Sequence, residues 1–558
     1  MNEFEFLKEK EILQEIIEKY KDIMEYYGLR IEAIPKIYMN NELMIKNAIE
    51  MYSEKLRLME KSIDKPYFAR LDFARDGETK LEKLYIGKVG VMDEDNNNIV
   101  IDWRAPVSSM YYDSNIGRAS YTAPEGTCTG KLLLKRQYDI ENRELKSYQD
   151  VDTVSNDELL KPYLNASADN RLKNIVSTIQ HEQNSIIREP ISKNIIIQGV
   201  AGSGKTTVAL HRIAYLVYNY RESIKPNQYL VIGPNKFFVN YISGVLPDLD
   251  VENVKQLTYE ELCSEFLNEE ISLINEDKKI ALSIFNEDTL KYEKFKVSME
   301  MKNALDKFIQ EMDSNILPNK GIEIKGYEII SRDIIKDIYF SIESSNIYDN
   351  IKKKLDRTNL MLTKYIEDNY DTIMSNIKEQ YQKNINIVSK SLNKNELDKY
   401  NLVEKEVKNG CKASLKKYVN NLIPSILNAY TKFLSNMKKY VNPGFYNITS
   451  ETRIKENIEN IKKRKVEFED LSALIYLKSR ISGIEPYEQY RQVAIDEAQD
   501  FGDFSFYALK TLLKNATFSI FGDLAQSIYQ YRGINKWEEV IENTFRWKVW
   551  DEIFIKKL

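Results

Sequence analysis

The sequence predicts an α/β fold: a parallel sheet split by a long helical insertion and preceded by a helical hairpin and a β-rich region. Three observations predict it. Four short apolar runs, Ile195–Gln198, Tyr229–Ile232, Val493–Ile495 and Phe518–Phe521, end in polar or glycine-rich loops and alternate with helical stretches. That is the pattern of strands buried on both faces and joined by helices. Between residues 251 and 469 apolar groups recur mostly at helical spacing, in a background rich in Lys, Glu, Asn and Tyr. Near residue 66 the period changes from helical to alternating.

Taken in order, residues 1–27 place Phe6, Leu13, Ile16, Ile17, Tyr20, Ile23 and Met24 at helical spacing. Gly28 to Pro35 reads as a break. A second helical pattern runs from about Lys36 to Ile63, with Leu43, Ala48, Ile49, Tyr52, Leu56 and Met59 on one side. Two helices joined by a short break suggest an antiparallel hairpin over 1–65, either a packing element or an arm for a partner. Residues 66–165 read as β-rich. Leu84–Met92 and Ile99–Trp103 flank the turn cluster 93–98, and Lys131–Ile140 and Glu144–Tyr148 flank the turn 141–143. No catalytic constellation appears there, so the region reads as a scaffold or docking surface. The sheet-bearing core is expected over 166–250 and 470–558. The insertion over 251–469 has candidate helices at Ser298–Met312, Tyr348–Lys378 and Val403–Met437.

Composition narrows the class. The chain has 558 residues, 43% hydrophobic and 30% charged, which suits several globular domains. No apolar run approaches the roughly 20 residues needed to span a bilayer. The acidic N-terminus lacks a signal-peptide pattern, so a cytoplasmic protein is expected. Three isolated cysteines and two histidines argue against disulfides and a histidine metal site. The net charge of −5 argues against a constitutive, tight nucleic-acid binder. Two local basic stretches, Lys352–Lys354 and Lys462–Lys465, read more readily as solvated helix faces than as contacts.

The motifs supply the chemistry. The strand Ile195–Gln198 enters Gly199, Val200, Ala201, Gly202, Ser203, Gly204, Lys205, Thr206 and Thr207, and a helical run follows to Tyr218. This is a P-loop in its strand–turn–helix setting. The glycines let backbone approach phosphate oxygens. Successive N–H groups and the helix N-terminus form an anion nest. Lys205 is expected to reach the β- and γ-phosphates of ATP, and Thr206 to place its hydroxyl on Mg²⁺. The run Val493–Asp500 is a strand ending in a carboxylate pair. Asp496 suits a Mg²⁺ ligand and Glu497 a group that polarises water. Alone, such a pair could be an ordinary acidic turn; the P-loop weighs against that. A third strand, Phe518–Phe521, runs into the polar loop Gly522–Gly533.

The order G-x-G-K-T, D-E-A-Q-D and G-D-x-x-Q-S-I-Y-x-Y-R-G resembles superfamily-one helicases of the UvrD type. The resemblance implies a P-loop RecA-like ATPase core and a DNA-tracking activity of 3′→5′ polarity. It also implies roles. Gln183 matches the adenine-reading glutamine. Lys205 and Thr206 match the phosphate and Mg²⁺ residues, and Asp496 and Glu497 the Mg²⁺ ligand and catalytic base. Gln499 and Gln526 match glutamines that couple the γ-phosphate to DNA. Tyr531 matches an aromatic that stacks on a single-stranded base, with Arg532 beside it as a nucleic-acid contact; for Tyr531 the bland alternative is a core tyrosine.

Further stretches resemble the HelD family: Pro66–Phe73, Leu84–Gly87, Ile101–Ser108, Leu133–Gln137, Ile179–Gln183 and Gly233–Lys236. Those proteins are relatives of UvrD that act on RNA polymerase, with an N-terminal hairpin that reaches into it. Gly233–Phe238 departs from the Thr-Phe-Thr-type loop that touches DNA in the UvrD group. After Asp551–Leu558 that group continues into a second RecA-like core, which supplies arginines to the γ-phosphate, so the chain reads as truncated before that core and poorly active by itself. Three readings stand: an ATP-driven helicase or translocase on DNA, an RNA polymerase-binding recycling factor with little unwinding, and a truncated fragment that binds nucleotide without turnover.

Overall fold

The computed structural model describes residues 3–38, 41–151, 179–274, 287–342, 350–387, 393–442, 451–527, 529, 531–545 and 553–558. Its centre is a six-stranded parallel sheet. The spatial order is Lys255–Thr258, Tyr229–Gly233, Gln492–Ile495, Thr517–Gly522, Asn194–Gln198 and Ile553–Lys557. The apolar runs are continuous because both faces are covered. Ile195 and Ile197 point to one side and Ile196 to the other, each fully buried. Val493 and Ile495 join the core that holds the helices Asp470–Ile481 and Asp503–Leu512. Ala494 joins the core under the helix Lys205–Asn219.

The sheet continues past residue 250, where the sequence placed a boundary. Lys255–Thr258 is hydrogen-bonded to Tyr229–Gly233. Thr258 then caps the helix Tyr259–Leu267 in a reciprocal pair with Glu261. The expected boundary at 165/166 lies outside the described residues. Ile553–Lys557 pairs with Asn194–Gln198 as an edge strand of the same sheet.

The first helix runs unbroken from Glu3 to Ile37, through Gly28 and Pro35, and the second spans Glu42–Ser62. The expected break at 28–35 is therefore wrong; the first helix ends only at Ile37, and Asn41 N–H donates to Tyr38 O (3.1 Å) before the second begins. A glycine costs a helix only about 1 kcal/mol. Pro35 falls in the last turn, where little helix remains for it to interrupt. The hairpin base packs on the β region, whose seven-stranded sheet has the order Val91–Met92, Asn98–Asp102, Leu81–Gly87, Ala69–Arg75, Gly126–Glu141, Gly117–Ala123, with Glu144–Asp150 on Gly126–Glu141. Asn142 and Arg143 both take positive φ (50° and 68°), the two-residue hairpin turn that matches strand twist.

The insertion divides in two. Met299–Ser314, Ile426–Ser435 and Glu451–Lys462 bury their apolar faces in the same core as the sheet. An outer part, including Ile351–Asp368, Tyr370–Ile387 and Lys412–Leu422, has a core of its own around Tyr327, Leu362, Ile377 and Leu415. Two expected helices are thus broken: 348–378 at Asn369, and 403–437 at 409–411 and 423–425. The expected start at Tyr348 lies outside the described residues. Among the described residues no helix is long and apolar enough to cross a membrane.

Candidate functional site

Three adjacent strands, Asn194–Gln198, Thr517–Gly522 and Gln492–Ile495, end at the same edge, and their loops converge there. That edge is where open α/β sheets bind ligands. The first loop turns tightly. Gly202 and Gly204 take φ of 77° and 85°, a region that side-chain-bearing residues avoid. A Cβ on Gly199 would sit 2.6 Å from Ser203 Oγ and 2.9 Å from Lys205 Cγ. Gly204 leads directly into the helix Lys205–Asn219.

Lys205 is buried, and its Nζ donates to the carbonyls of Gly199 (2.9 Å) and Val200 (3.2 Å). Thr206 Oγ1 donates to Asp496 Oδ2 at 2.6 Å, so residues 290 apart in sequence meet. Burial pushes the Asp496 carboxyl up to about 6, opposed by the Thr206 hydrogen bond. Glu497 follows with φ of 52° and breaks the strand direction. Gln499 Nε2 donates to Glu497 Oε2 (2.7 Å), while Gln499 Oε1 accepts from the Asp523 N–H (2.9 Å). One glutamine therefore ties the two acidic loops together.

Gln183 lies on the short helix His181–Ile187 beside the glycine-rich loop. Its Nε2 donates to Ser203 O (3.3 Å), and its Oε1 accepts from the Gln180 N–H (3.2 Å). Gln526 donates to Asp523 Oδ2. Burial works to raise the Asp523 carboxyl, but donors from Gln526, Ala525 and Gln198 outweigh it and hold it below the usual carboxylate range.

Tyr531 and Arg532 lead into Gly533, where a Cβ would meet Gln499 O at 2.5 Å. Tyr531 is half-buried. Arg532 is only 4% exposed, its guanidinium 3.8 Å from the Phe468 ring centre and 3.9 Å from that of Tyr529. It also pairs with the buried Glu469 at 3.6 Å. In this arrangement Arg532 is covered by protein rather than presented to a strand. Glu293, Glu467 and Glu469 are the one group among the described residues with metal-ligand geometry. Lys296, Arg453 and Arg532 already pair with these carboxylates. That cluster is a buried ion network, not an open metal site.

Sequence reasoning missed a second set. Gln198 ends the first strand. Its Nε2 donates to Asp523 Oδ1 (2.8 Å), and its Oε1 accepts from Trp537 Nε1 (2.7 Å) and the Leu524 N–H (3.3 Å). Asp523 stood in the quoted G-D-x-x-Q pattern and could have been found; Gln198 and Trp537 carried no local signal. His211 is buried, donates from Nδ1 to Thr207 O (2.7 Å) and packs edge-on to Trp103. Burial lowers it to about 4, so it is a neutral packing residue at neutral pH.

Residues 179–537 match the UvrD/REP helicase N-terminal domain. Residues 6–160 match the N-terminal domain of DNA helicase IV HelD. No curated protein matches the chain.

Proposed function

We propose, from the premise that this chain belongs to the UvrD/REP helicase family and carries a HelD-type N-terminal domain, that it binds ATP with Mg²⁺ at residues 199–207 and couples hydrolysis to movement on DNA. The supporting observation is the meeting of Lys205, Thr206, Asp496 and Glu497 at the ends of adjacent parallel strands. The Thr206 hydroxyl and Asp496 carboxylate are a hard-oxygen pair, the donor type Mg²⁺ takes. Among the described residues Lys205 Nζ is bonded only to neutral carbonyls, which leaves its charge available to a phosphate. ATP supplies the phosphoanhydride. The chain's own residues then divide the work: the glycine-rich loop and Lys205 hold phosphate, Gln183 borders the loop for the base, and Glu497 takes a proton from water on a carboxylate oriented by Gln499. Gln526 connects the Asp523 loop to the segment that carries Tyr531, the proposed link to DNA, while Arg532 on the same segment is held inside the protein by Phe468 and Glu469. The 3′→5′ direction belongs to the same reading.

Nucleotide binding and turnover test it. Lys205→Ala is expected to weaken Mg²⁺–ATP binding by tenfold or more, on the order of one charge-assisted contact. Glu497→Gln is expected to keep binding while lowering turnover by about 10²–10⁴. ATP binding unchanged by Lys205→Ala would overturn the site. Binding without turnover, with or without DNA, selects the non-hydrolysing reading.

A second reading, action on RNA polymerase, has a specific observation in its favour. The hairpin in the HelD-type region exposes Leu29, Ile37, Leu43 and Met44 around its turn. Replacing Leu29, Leu43 and Met44 by serine should abolish retention on core RNA polymerase and leave ATP binding unchanged. Equal retention removes this reading.

A further inference from the structure

The basic run Lys462–Lys465 is not the solvated helix face that its sequence suggests. The helix Glu451–Lys462 ends at its first residue. Arg464 takes a left-handed φ of 60°, and Lys465 opens the strand Lys465–Val466, paired in parallel with Ser272–Leu273. The backbone is tied on both sides of the turn. Lys463 and Arg464 N–H groups bond back to Asn460 O and Ile461 O, and Arg464 O accepts from the Ser272 N–H at 2.9 Å. All four basic side chains are exposed. They are presented from a fixed turn, not from a fraying helix end.

This turn borders a groove of about 600 Å³. Its other wall is the helix Ile426–Ser435, which buries Ile426, Tyr430 and Phe433 in the core and so turns Asn428, Lys432 and Ser435 outward at helical spacing. Lys432, Lys462 and Arg464 line the groove with hydroxyls and amides, and Glu269 is the one carboxylate that does so among the described residues. Lys462 also pairs with the exposed Glu459 at 3.2 Å, which leaves three cations against two carboxylates, a small positive excess in a chain that carries −5 as a whole. No aromatic side chain lines the groove among the described residues. The site therefore has what neutralises phosphates and lacks what stacks on bases.

We infer that this groove binds the phosphodiester backbone of a nucleic acid without regard to sequence. The inference rests on the reading that the chain engages nucleic acid and is independent of the nucleotide site.

The test measures anisotropy of labelled single-stranded DNA, duplex DNA and duplex RNA without nucleotide, between roughly 50 and 200 mM salt. Lys432→Gln, Lys462→Gln and Arg464→Gln are combined, with Lys352→Gln and Lys353→Gln on the other basic stretch as a control. The triple variant should weaken binding of different sequences by one common factor, tenfold or more at low salt. Its slope of log affinity against log salt should shrink by about 2 to 3, near 0.7–0.9 per lost contact. Lys432→Gln alone should remove about 1. The three nucleic acids separate which duplex or strand is preferred. An unchanged slope, or an equal loss in the control, overturns the groove while leaving nucleic-acid binding intact. No binding by the unsubstituted chain overturns both readings. Polyglutamate bound as tightly as the oligonucleotides, and lost equally in the triple variant, assigns the groove to acidic protein and overturns the phosphodiester assignment.

Discussion

Gln499 shows how much of the site rests on single side chains. Its amide joins Glu497 to the backbone of Asp523, a bridge between the two acidic loops beside the Ser527 Oγ to Asp500 Oδ1 hydrogen bond (3.3 Å). A Cβ on Gly522 would lie 2.8 Å from Gln499 Oε1 and 3.0 Å from the Trp537 ring, which explains the glycine. Gln499→Leu should lower turnover by up to about a hundredfold with ATP affinity unchanged, because Glu497 loses its orientation; titration and steady-state rates on one preparation check this. Asp503 poses a different problem. It opens the helix Asp503–Leu512, a favourable place for negative charge. Burial nevertheless pushes it up to about 6, and its Oδ1 is buried without a hydrogen-bond partner. The folded state therefore holds the proton more tightly than the unfolded one. Its stabilising contribution is present below about pH 4 and is lost as pH rises through 6. Asp503→Asn should raise the melting temperature at pH 8, by about 1–3 kcal/mol of stability, and leave it unchanged at pH 4.

At the scale of elements, the hairpin is anchored by charge as well as by packing. Glu9 is 2% exposed on the first helix. Its carboxylate accepts from Arg70 and Arg136 on neighbouring strands, both at 2.8 Å, and from Tyr138 Oη at 2.7 Å. In the sequence Glu9 looks like one more solvated glutamate in a charged helix. Strand pairing makes it central by placing Arg70 and Arg136 opposite one another. Glu9→Ala removes the shared partner while Arg70 keeps Asp72 and Arg136 keeps Asp150, and should cost about 1–3 kcal/mol. Limited proteolysis should then cut the first helix faster in the variant than in the parent chain. The helix boundaries failed for a related reason. Gly28 and Pro35 are local breakers, yet burial of residues such as Ile34 holds the helix through them.

At the scale of the molecule, the β region and the parallel sheet form one body. Trp103, Met110 and Tyr111 share a core with Ile195, Ile197, Val208 and Phe521. Asp102 holds Arg104 in a two-point pair, and Arg104 then donates to Leu249 O (3.0 Å) and Asp250 (3.3 Å) across the joint. Arg188 returns the contact, donating to Trp103 O at 2.6 Å. The stretch Ile101–Ser108 is thus the seam between the HelD-type region and the helicase core. Trp103→Ala should cost about 3–5 kcal/mol. Mg²⁺–ATP affinity should fall with it, because the first strand of the site loses support on that face. Unchanged affinity in a folded variant would separate the two regions energetically.

The parallel-sheet class, the glycine-rich loop and the family were legible in the sequence, because each is written in short contiguous runs such as Ile195–Thr207 and Val493–Asp500. Apolar period and glycine placement act over a few residues, so a local reading captures them. What lay across the chain was not legible. The sheet's edge strand at Lys255–Thr258, the Gln198–Asp523–Trp537 contacts, the burial of Arg532 against Glu469 and the groove beside Lys462 each join segments that nothing local connects. Only packing brings them together, because burial and hydrogen-bond satisfaction are properties of the folded whole.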